Sequence, residues 1–437
     1  MKGSKIKQIK AREILDSRGS PTIEVELTTN FAKFLDSVPS GASRGKYEAK
    51  ELRDEGKRYQ GKGVLKAVKN VNEIIGPKLV GKNPIKQKEI DELLMIGLDG
   101  TENKSKLGAN SILAVSLACC RAGAGAKNIP LYQHISQLFE IGSRTVSLPI
   151  PCFNIINGGV HAGNDLSFQE FMIVPQNRSF SRNLETASEI YQGLKEILEK
   201  NFGKGATNLG DEGGFAPSLR QTQQALNLII GAIKSASRAR QSRAKGEDEA
   251  LASSPGYSGK VKIGLDCAAS QFFKNGNYQL EGTTFTRAGF LNFYQDLIKN
   301  YPILFLEDPF SEEDFEGFRE ITKKLSKKIV VIGDDLLATN PGRIKKAKEE
   351  KACNGAIIKL NQIGTVSEAL EAVKLAKSFG WKIMVSHRSG ETLDDFISDF
   401  AVGISADFIK AGAPARGERV AKYNRLLRIE EELAFPH

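Results

Sequence analysis

No stretch of this 437-residue chain approaches the ~18 consecutive apolar residues of a membrane-crossing helix, so the sequence offers no transmembrane segment. The opening residues, MKGSKIKQIKAREIL, are basic but have neither an apolar stretch nor a small-residue cleavage site, and do not read as a secretory signal. Cysteine is scarce: Cys119, Cys120, Cys152, Cys267 and Cys353, an odd number with no CxxC pair. That spacing builds neither a disulfide framework nor a zinc site. Buried thiols in a reducing compartment, and with them a cytoplasmic location, are the expectation. Zinc-finger and RNA-binding motifs are missing too, as is any interleaving of aromatic and basic residues, so nucleic acid is not the expected partner. What the chain does have is positive charge. Its 62 Lys and Arg against 52 Asp and Glu leave a net +10, which favours anionic partners such as phosphorylated metabolites, nucleic acid or a membrane surface without choosing among them.

The length suits two domains, one of them large, because α/β barrels run to ~250 residues as one unit. Residues 1–140 read as a mixed α+β domain. Strand patterns occur at 5–12, 21–28 and 31–38, with the turn SRGSP between the first two. Helical periodicity follows at 63–75, 86–96 and 108–124, with Asn110 as the expected N-cap of the last. A polar, Gly-bearing stretch at 137–147 marks the boundary, and 141–437 form the second domain. There, LPIPCFNII (148–156) and FQEFMIVP (168–175) lie too close for a helical crossover and predict an antiparallel pair. Helical patterns follow near 181–201 and 218–236. The charged, small-residue run at 235–259 is expected to be a mobile surface insertion. The remaining strand-like runs are VKIGLD, PILFLE, KIVVIGDD, GAIIKL, KIMVSH and ADFIKA, each separated from the next by helix-like sequence. Six such units and the earlier pair make eight strands, the number of a closed (β/α) barrel.

The informative residues stand at the strand ends: Asp266, Glu307, Asp334, Lys359, His387 and Lys410, spaced by 23 to 41 residues, about one βα unit each. In a barrel the C-terminal strand ends meet on one face, where barrel active sites lie. Six ionisable groups therefore converge. Asp266, Glu307 and Asp334 are hard oxygen donors that would repel one another unless a cation such as Mg2+ lies among them. Lys359 and Lys410 are poor bases at an ordinary pKa of ~10.4. Beside a divalent cation and a second ammonium, a lysine is expected to fall in pKa and to accept protons. Arg388 and Ser389, in HRSGE, make a natural phosphate grip.

Three earlier segments add candidates. NGGVHAGNDLSFQEF carries His161, Gln169 and Glu170; NLGDEGGFAP places Asp211 and Glu212 in a Gly-flanked loop; and VPSGASRGKYE (38–48) is a candidate lid.

Together DSRGSPTIEVEL, VPSGASRGKYEAKELRD, GANSILAVSLA, FNIINGGVHAGN, QEFMIVP, GDEGGFAP, IGLDCAAS, EDPF, GDDLLATNP, KLNQIGT, SHRSGET and IKAGAPARGERVAKYNRLLRIEEEL resemble, in order, the enolase family over residues 5–434. The wider superfamily shares the barrel and the acidic trio but not SHRSGET, the SGAS lid or the DEGG loop. The resemblance implies a C-terminal eight-stranded (β/α) barrel of enolase type, its first two strands antiparallel, with a smaller N-terminal α+β capping domain. It implies a carbon–oxygen lyase of glycolysis and gluconeogenesis: the Mg-dependent, reversible dehydration of 2-phosphoglycerate to phosphoenolpyruvate, with two Mg2+ ions per active site and a homodimeric state. By matching motif, Lys359 is the base toward carbon 2. Glu212, with Glu170 beside it, is the acid toward the carbon-3 hydroxyl, for which Glu212 needs a raised pKa. Lys410 stabilises developing charge. Asp266, Glu307 and Asp334 hold the first ion, and Ser43 on the lid reaches the second. Arg388 and Ser389 bind phosphate, while His161, Gln169 and His387 line the pocket. Three departures stand out: Arg44 where the family has a small Thr, Gln271 where Glu is common, and the 235–259 insertion.

Overall fold

The computed structural model describes residues 3–42, 45–140, 146–247, 257 and 259–435. Ser43 and Arg44, two residues of the expected lid, lie outside them. The N-terminal part is built on an antiparallel meander of β1 (Ile6–Leu15), β2 (Pro21–Thr29) and β3 (Lys33–Ser37). The SRGSP turn closes because the Asp16 carboxylate accepts the backbone N–H groups of Arg18 and Ser20, each at 2.9 Å. Along β2 the alternation of Ile23, Val25 and Leu27 buries one face completely. That face packs on the helix Ala109–Lys127.

This helix is apolar nearly all round and, among the described residues, is the one with the length and hydropathy to cross a membrane. Its most apolar window is 89% buried inside the protein, which marks a core helix. It begins after Gly108, not at Asn110. The Asn110 side chain instead accepts from the Leu52 backbone N–H at 3.0 Å and donates to the Leu52 carbonyl at 3.1 Å, tying an incoming loop to the helix.

His134, on the helix Leu131–Phe139, packs against Gly123 with both ring nitrogens buried and unpartnered. Burial, with Lys127 adding to it, pushes its pKa from 6.5 down to about 4. A pKa depressed in the folded state contributes stability that is full above 6.5 and is lost as pH falls through 4. Between pH 7 and pH 4 the wild type is therefore expected to lose roughly 3 kcal/mol more unfolding free energy than His134→Leu. Denaturant titrations of both proteins at the two pH values check this; equal losses would show that His134 is not held neutral.

The larger part is a closed barrel of β4 (Ile150–Asn157), β5 (Glu170–Pro175), β6 (Val261–Asp266), β10 (Ile303–Glu307), β11 (Val330–Gly333), β12 (Gly355–Ile358), β13 (Lys382–Ser386) and β14 (Phe408–Lys410). Between β6 and β10 a small side sheet of β7 (Phe273–Lys274), β8 (Asn277–Leu280) and β9 (Thr283–Phe285) is inserted. β5 runs antiparallel to both neighbours, and the other pairings are parallel. Side chains fill the barrel interior: Cys152, Met172, Val174, Phe305, Ile332, Ile357, Met384 and Phe408 form one buried cluster. β6 turns Gly264 toward it because any Cβ there would collide with the Phe305 ring. All five cysteines are buried and free.

The expected mobile run at 235–259 is corrected in its first half. The helix Thr222–Glu247 continues through it, with Ala236 and Ser237 buried and Arg240 bonded to the Tyr257 hydroxyl at 2.6 Å. Alanines and long arginines sustain a helix there, which a reading based on missing bulky residues overlooks. Residues 248–256 and 258 lie outside the described part, as do 141–145 of the expected domain boundary.

Polar contacts join the two parts beside the barrel's open face. Ser40 and Gly390 exchange backbone hydrogen bonds at 2.8 and 2.9 Å, and Arg121 bridges Asp36 at 2.7 Å to Asp394 at 2.8 Å.

Candidate active site

Sheet register assembles the rim. Parallel strands bring Asp266, Glu307 and Lys410 to the ends of β6, β10 and β14, while Asp334, Lys359 and His387 follow β11, β12 and β13 directly. Because β5 is reversed, its first residue, Glu170, reaches the same rim. Asn157, Glu170, Asp266 and Glu307 are successive partners across four strands. Glu212 arrives on the loop after Leu209 and accepts from the side-chain amides of Asn154 at 2.8 Å and Asn157 at 3.4 Å.

One pocket is lined by His161, Gln169, Glu170, Glu212, Asp266, Asp334, Lys359, His387, Arg388, Ser389 and Lys410. Glu307 sits just below it, fully buried, with both carboxylate oxygens 2.7 Å from Lys410 Nζ. Lys410 Nζ also lies 3.1 Å from Glu170 and 3.5 Å from Asp266. Lys359 pairs with Asp334. Ser43, expected at the second ion, lies outside the described residues, but its neighbour Ala42 donates its backbone N–H to Ser389 Oγ at 2.7 Å, so the start of the expected lid rests on the loop after β13.

The electrostatics correct one expectation. Burial opposes charge on Glu212, yet His161, its Nδ1 at 3.2 Å, outweighs it and holds Glu212 well below the usual carboxylate range, with the His387 ring 3.7 Å away. The raised carboxyl is Glu170, through burial and then the Glu212 charge. Donor atoms of Glu170, Glu212 and His161 lie within 4.8 Å of one another, so a proton on this pair resides on Glu170. Burial works against the Lys359 ammonium, but Asp334 outweighs burial and raises the lysine pKa; the fall expected beside a divalent cation belongs to the metal-loaded site, where the cation takes up the Asp334 charge. Asp334 is lowered in turn: burial opposes its charge and Lys359 overcomes that. Glu307 is pushed well up by burial and then by Asp266.

The site is over-supplied with carboxyl groups, most of them buried. Glu170, Glu212, Asp266, Glu307, Asp308, Asp334 and Asp335 crowd around Lys359, Lys410 and an Arg388 already engaged by Glu48 at 3.0 and 3.1 Å. Glu170 Oε2 is buried without a hydrogen-bond partner. An all-oxygen donor set with surplus carboxylate fits a hard divalent cation, and Lys410 Nζ, touching three carboxylates, marks where positive charge is favoured.

Several participants escaped the sequence reading. Asp308, at φ 41°, accepts the backbone N–H groups of Asp334 at 3.0 Å and Asp335 at 2.6 Å and so fixes the β11 end. Asp335, raised to about 7 by burial and Asp334, faces the pocket. The acidic doublets Glu307-Asp308 and Asp334-Asp335 were the available signal. Arg18 reaches Ser389 Oγ at 3.3 Å and the Ser40 carbonyl at 3.0 Å. Gln271, one of the departures, donates to Gln169 Oε1 at 2.6 Å, and Gln169 donates to Asp266 at 3.2 Å. The glutamine thus orients the amide that steadies Asp266.

Residues 145–436 match the family model described as the enolase C-terminal TIM barrel domain, and residues 6–135 match that of the enolase N-terminal domain. An enolase of Mastigamoeba balamuthi is 50% identical over 444 residues, covering 98% of this chain and 96% of that relative. Enolases of Solanum lycopersicum and Eimeria tenella are each 49% identical, again over 98% of this chain and over 95% and 96% of their own lengths.

Proposed function

The chain belongs to the enolase family and is a phosphopyruvate hydratase, a lyase interconverting 2-phosphoglycerate and phosphoenolpyruvate, and from that premise we propose how its own residues divide the work. The observation that carries the division is the ring of strand-end groups, in which Lys359 and the Glu170–Glu212 pair line one pocket.

Across the superfamily a Lys or His base works with one or two Mg2+ ions. Here Asp266, Glu307 and Asp334 would hold the first ion and Ser43 would reach the second. When bound, the ions supply positive charge that offsets the substrate carboxylate and the acidic trio, which favours loss of the carbon-2 proton. Lys359 takes that proton; the C–H electron pair becomes the carbon 2–carbon 3 double bond. The carbon-3 hydroxyl leaves as water with a proton from the Glu170–Glu212 pair. Lys410, fixed among three carboxylates, presents its ammonium where carboxylate charge grows. Arg388 and Ser389 grip the phosphate, with Glu48 and Arg18 aligning them. His161, Gln169 and His387 complete the wall.

Residues 1–140 act as the capping domain and 141–437 as the catalytic barrel. The protein works in the cytoplasm as a homodimer. In support of a dimer, Leu15, Leu35 and Leu393, exposed by 55%, 47% and 72%, line a single groove.

The test is turnover of 2-phosphoglycerate in Mg2+, followed as enolpyruvate absorbance. The rival within the superfamily is dehydration or racemisation of a phosphate-free sugar acid. Activity on such an acid with none on 2-phosphoglycerate would favour it. A non-catalytic protein on the same fold would turn over neither.

A further inference from the structure

Arg419, on the helix Gly417–Ala434, is the largest fully buried side chain among the described residues, with none of its surface exposed. Nothing in the reaction scheme uses it. Its guanidinium donates to the carbonyls of Arg388 at 2.7 Å, Ser389 at 2.6 Å and Asp211 at 2.9 Å. It therefore joins the loop after β13 to the loop that carries Glu212. Room for it depends on Gly412, at φ +90°, where a Cβ would lie 2.7 Å from both Arg419 Cδ and the Glu212 carbonyl.

The remaining contact decides more. Arg419 Nη1 lies 2.6 Å from His387 Nδ1. A guanidinium has only donors and keeps its proton at any working pH. Nδ1 must therefore present its lone pair, and the single ring proton sits on Nε2. That nitrogen is buried without a hydrogen-bond partner, 3.7 Å from Glu212 Oε1, in the wall of the pocket.

We propose that Arg419 is a positioning residue: it locks His387 as the neutral Nε2–H tautomer, so that one N–H donor faces Glu212 and the reacting end of the substrate. The proposal rests on the reading of this pocket as the active site. The charged groups facing His387 are Arg419, Glu212, Lys410 and Lys359. Burial and then Arg419 hold its pKa well below the ordinary value, in keeping with the geometry. A protonated ring, or one with hydrogen on Nδ1, would set two hydrogens against each other across 2.6 Å.

The chain has four histidines, so ¹⁵N-histidine spectra resolve the question in the full-length protein without substrate or metal. Expected for the wild type is an unprotonated Nδ1 and a protonated Nε2 on His387, unchanged from about pH 5.5 to about 8.5. In Arg419→Met, His387 is expected to show mixed tautomers and a pKa higher than in the wild type, and kcat to fall about 100-fold with KM altered only a few-fold. An Nδ1–H or doubly protonated His387 in the wild type near neutral pH overturns the proposal. So does an Arg419→Met protein whose kcat falls while the His387 tautomer and titration stay as they were. Should the variant fail to fold, the wild-type spectrum alone decides. Wild-type turnover of 2-phosphoglycerate is a separate readout, so failure of the tautomer assignment and failure of the enzymatic reading are distinguishable.

Discussion

Lys359→Ala is expected to lower turnover of 2-phosphoglycerate by about 10⁴-fold, the upper range for loss of a general base, with KM little changed. Lys359 follows β12 directly, so its ammonium projects into the pocket from a rigid strand end. Its nearest partner is Asp334 and not a backbone group that the fold needs. Truncation therefore removes the proton acceptor and leaves the Asp334 carboxylate unpaired, a stability cost that does not unfold the barrel. Steady-state kinetics together with a thermal melt separate the two effects. A rate within tenfold of wild type would take Lys359 out of the role of base; a large fall in melting temperature would make it structural.

Lys410→Met has the second large effect, and it falls on stability as well as rate. The lysine is 1% exposed and contacts Glu170, Asp266 and Glu307. Burial opposes its charge, but Glu170 and then Glu307 raise its pKa well above the ordinary lysine value. Removing one partner of a buried ion cluster leaves uncompensated charge, which costs about 3–5 kcal/mol. That loss is expected in chelator. In millimolar Mg2+ it should shrink, because a divalent cation among the same carboxylates offsets their repulsion, while turnover stays low. Denaturant titrations with and without Mg2+ check it. Equal losses in both conditions would mean that the cation and the ammonium do not share these carboxylates.

Much of the site was readable because a parallel barrel strand ends where its apolar run ends. VKIGL, PILFL and ADFI each run straight into a charged residue, and closure of the barrel does the rest. The reversed β5 was readable from the short gap before FQEFMIVP, and reversal is what brings Glu170 to the rim. Charge states were not readable. Whether Glu212 or Glu170 carries a proton depends on His161 and His387, which approach from distant loops, and Lys359 answers to Asp334 at close range. Nor does periodicity reveal which long side chain crosses between parts of the fold. Arg419 and Glu418 are adjacent charges in a helix whose pattern gives no reason to bury one of them completely. Glu48 and Arg18 look like surface charges until the N-terminal sheet is docked on the barrel mouth. Asn110 failed as a cap because a tertiary partner, Leu52, claimed its amide.

The cation site itself admits a direct measurement. Asp308, Asp334 and Asp335 offer oxygens within 4.8 Å of one another, so a second acidic cluster, which shares Asp334 with the Asp266–Glu307–Asp334 trio, competes for any added metal. Anomalous scattering from crystals soaked in Mn2+ in place of Mg2+ locates the ion. A peak bounded by Asp266, Glu307 and Asp334 is the expected result, with Lys410 Nζ displaced from Glu307. A peak confined to Asp308 and Asp335, or none at the barrel mouth, would contradict the assignment of the strand-end carboxylates to the cation.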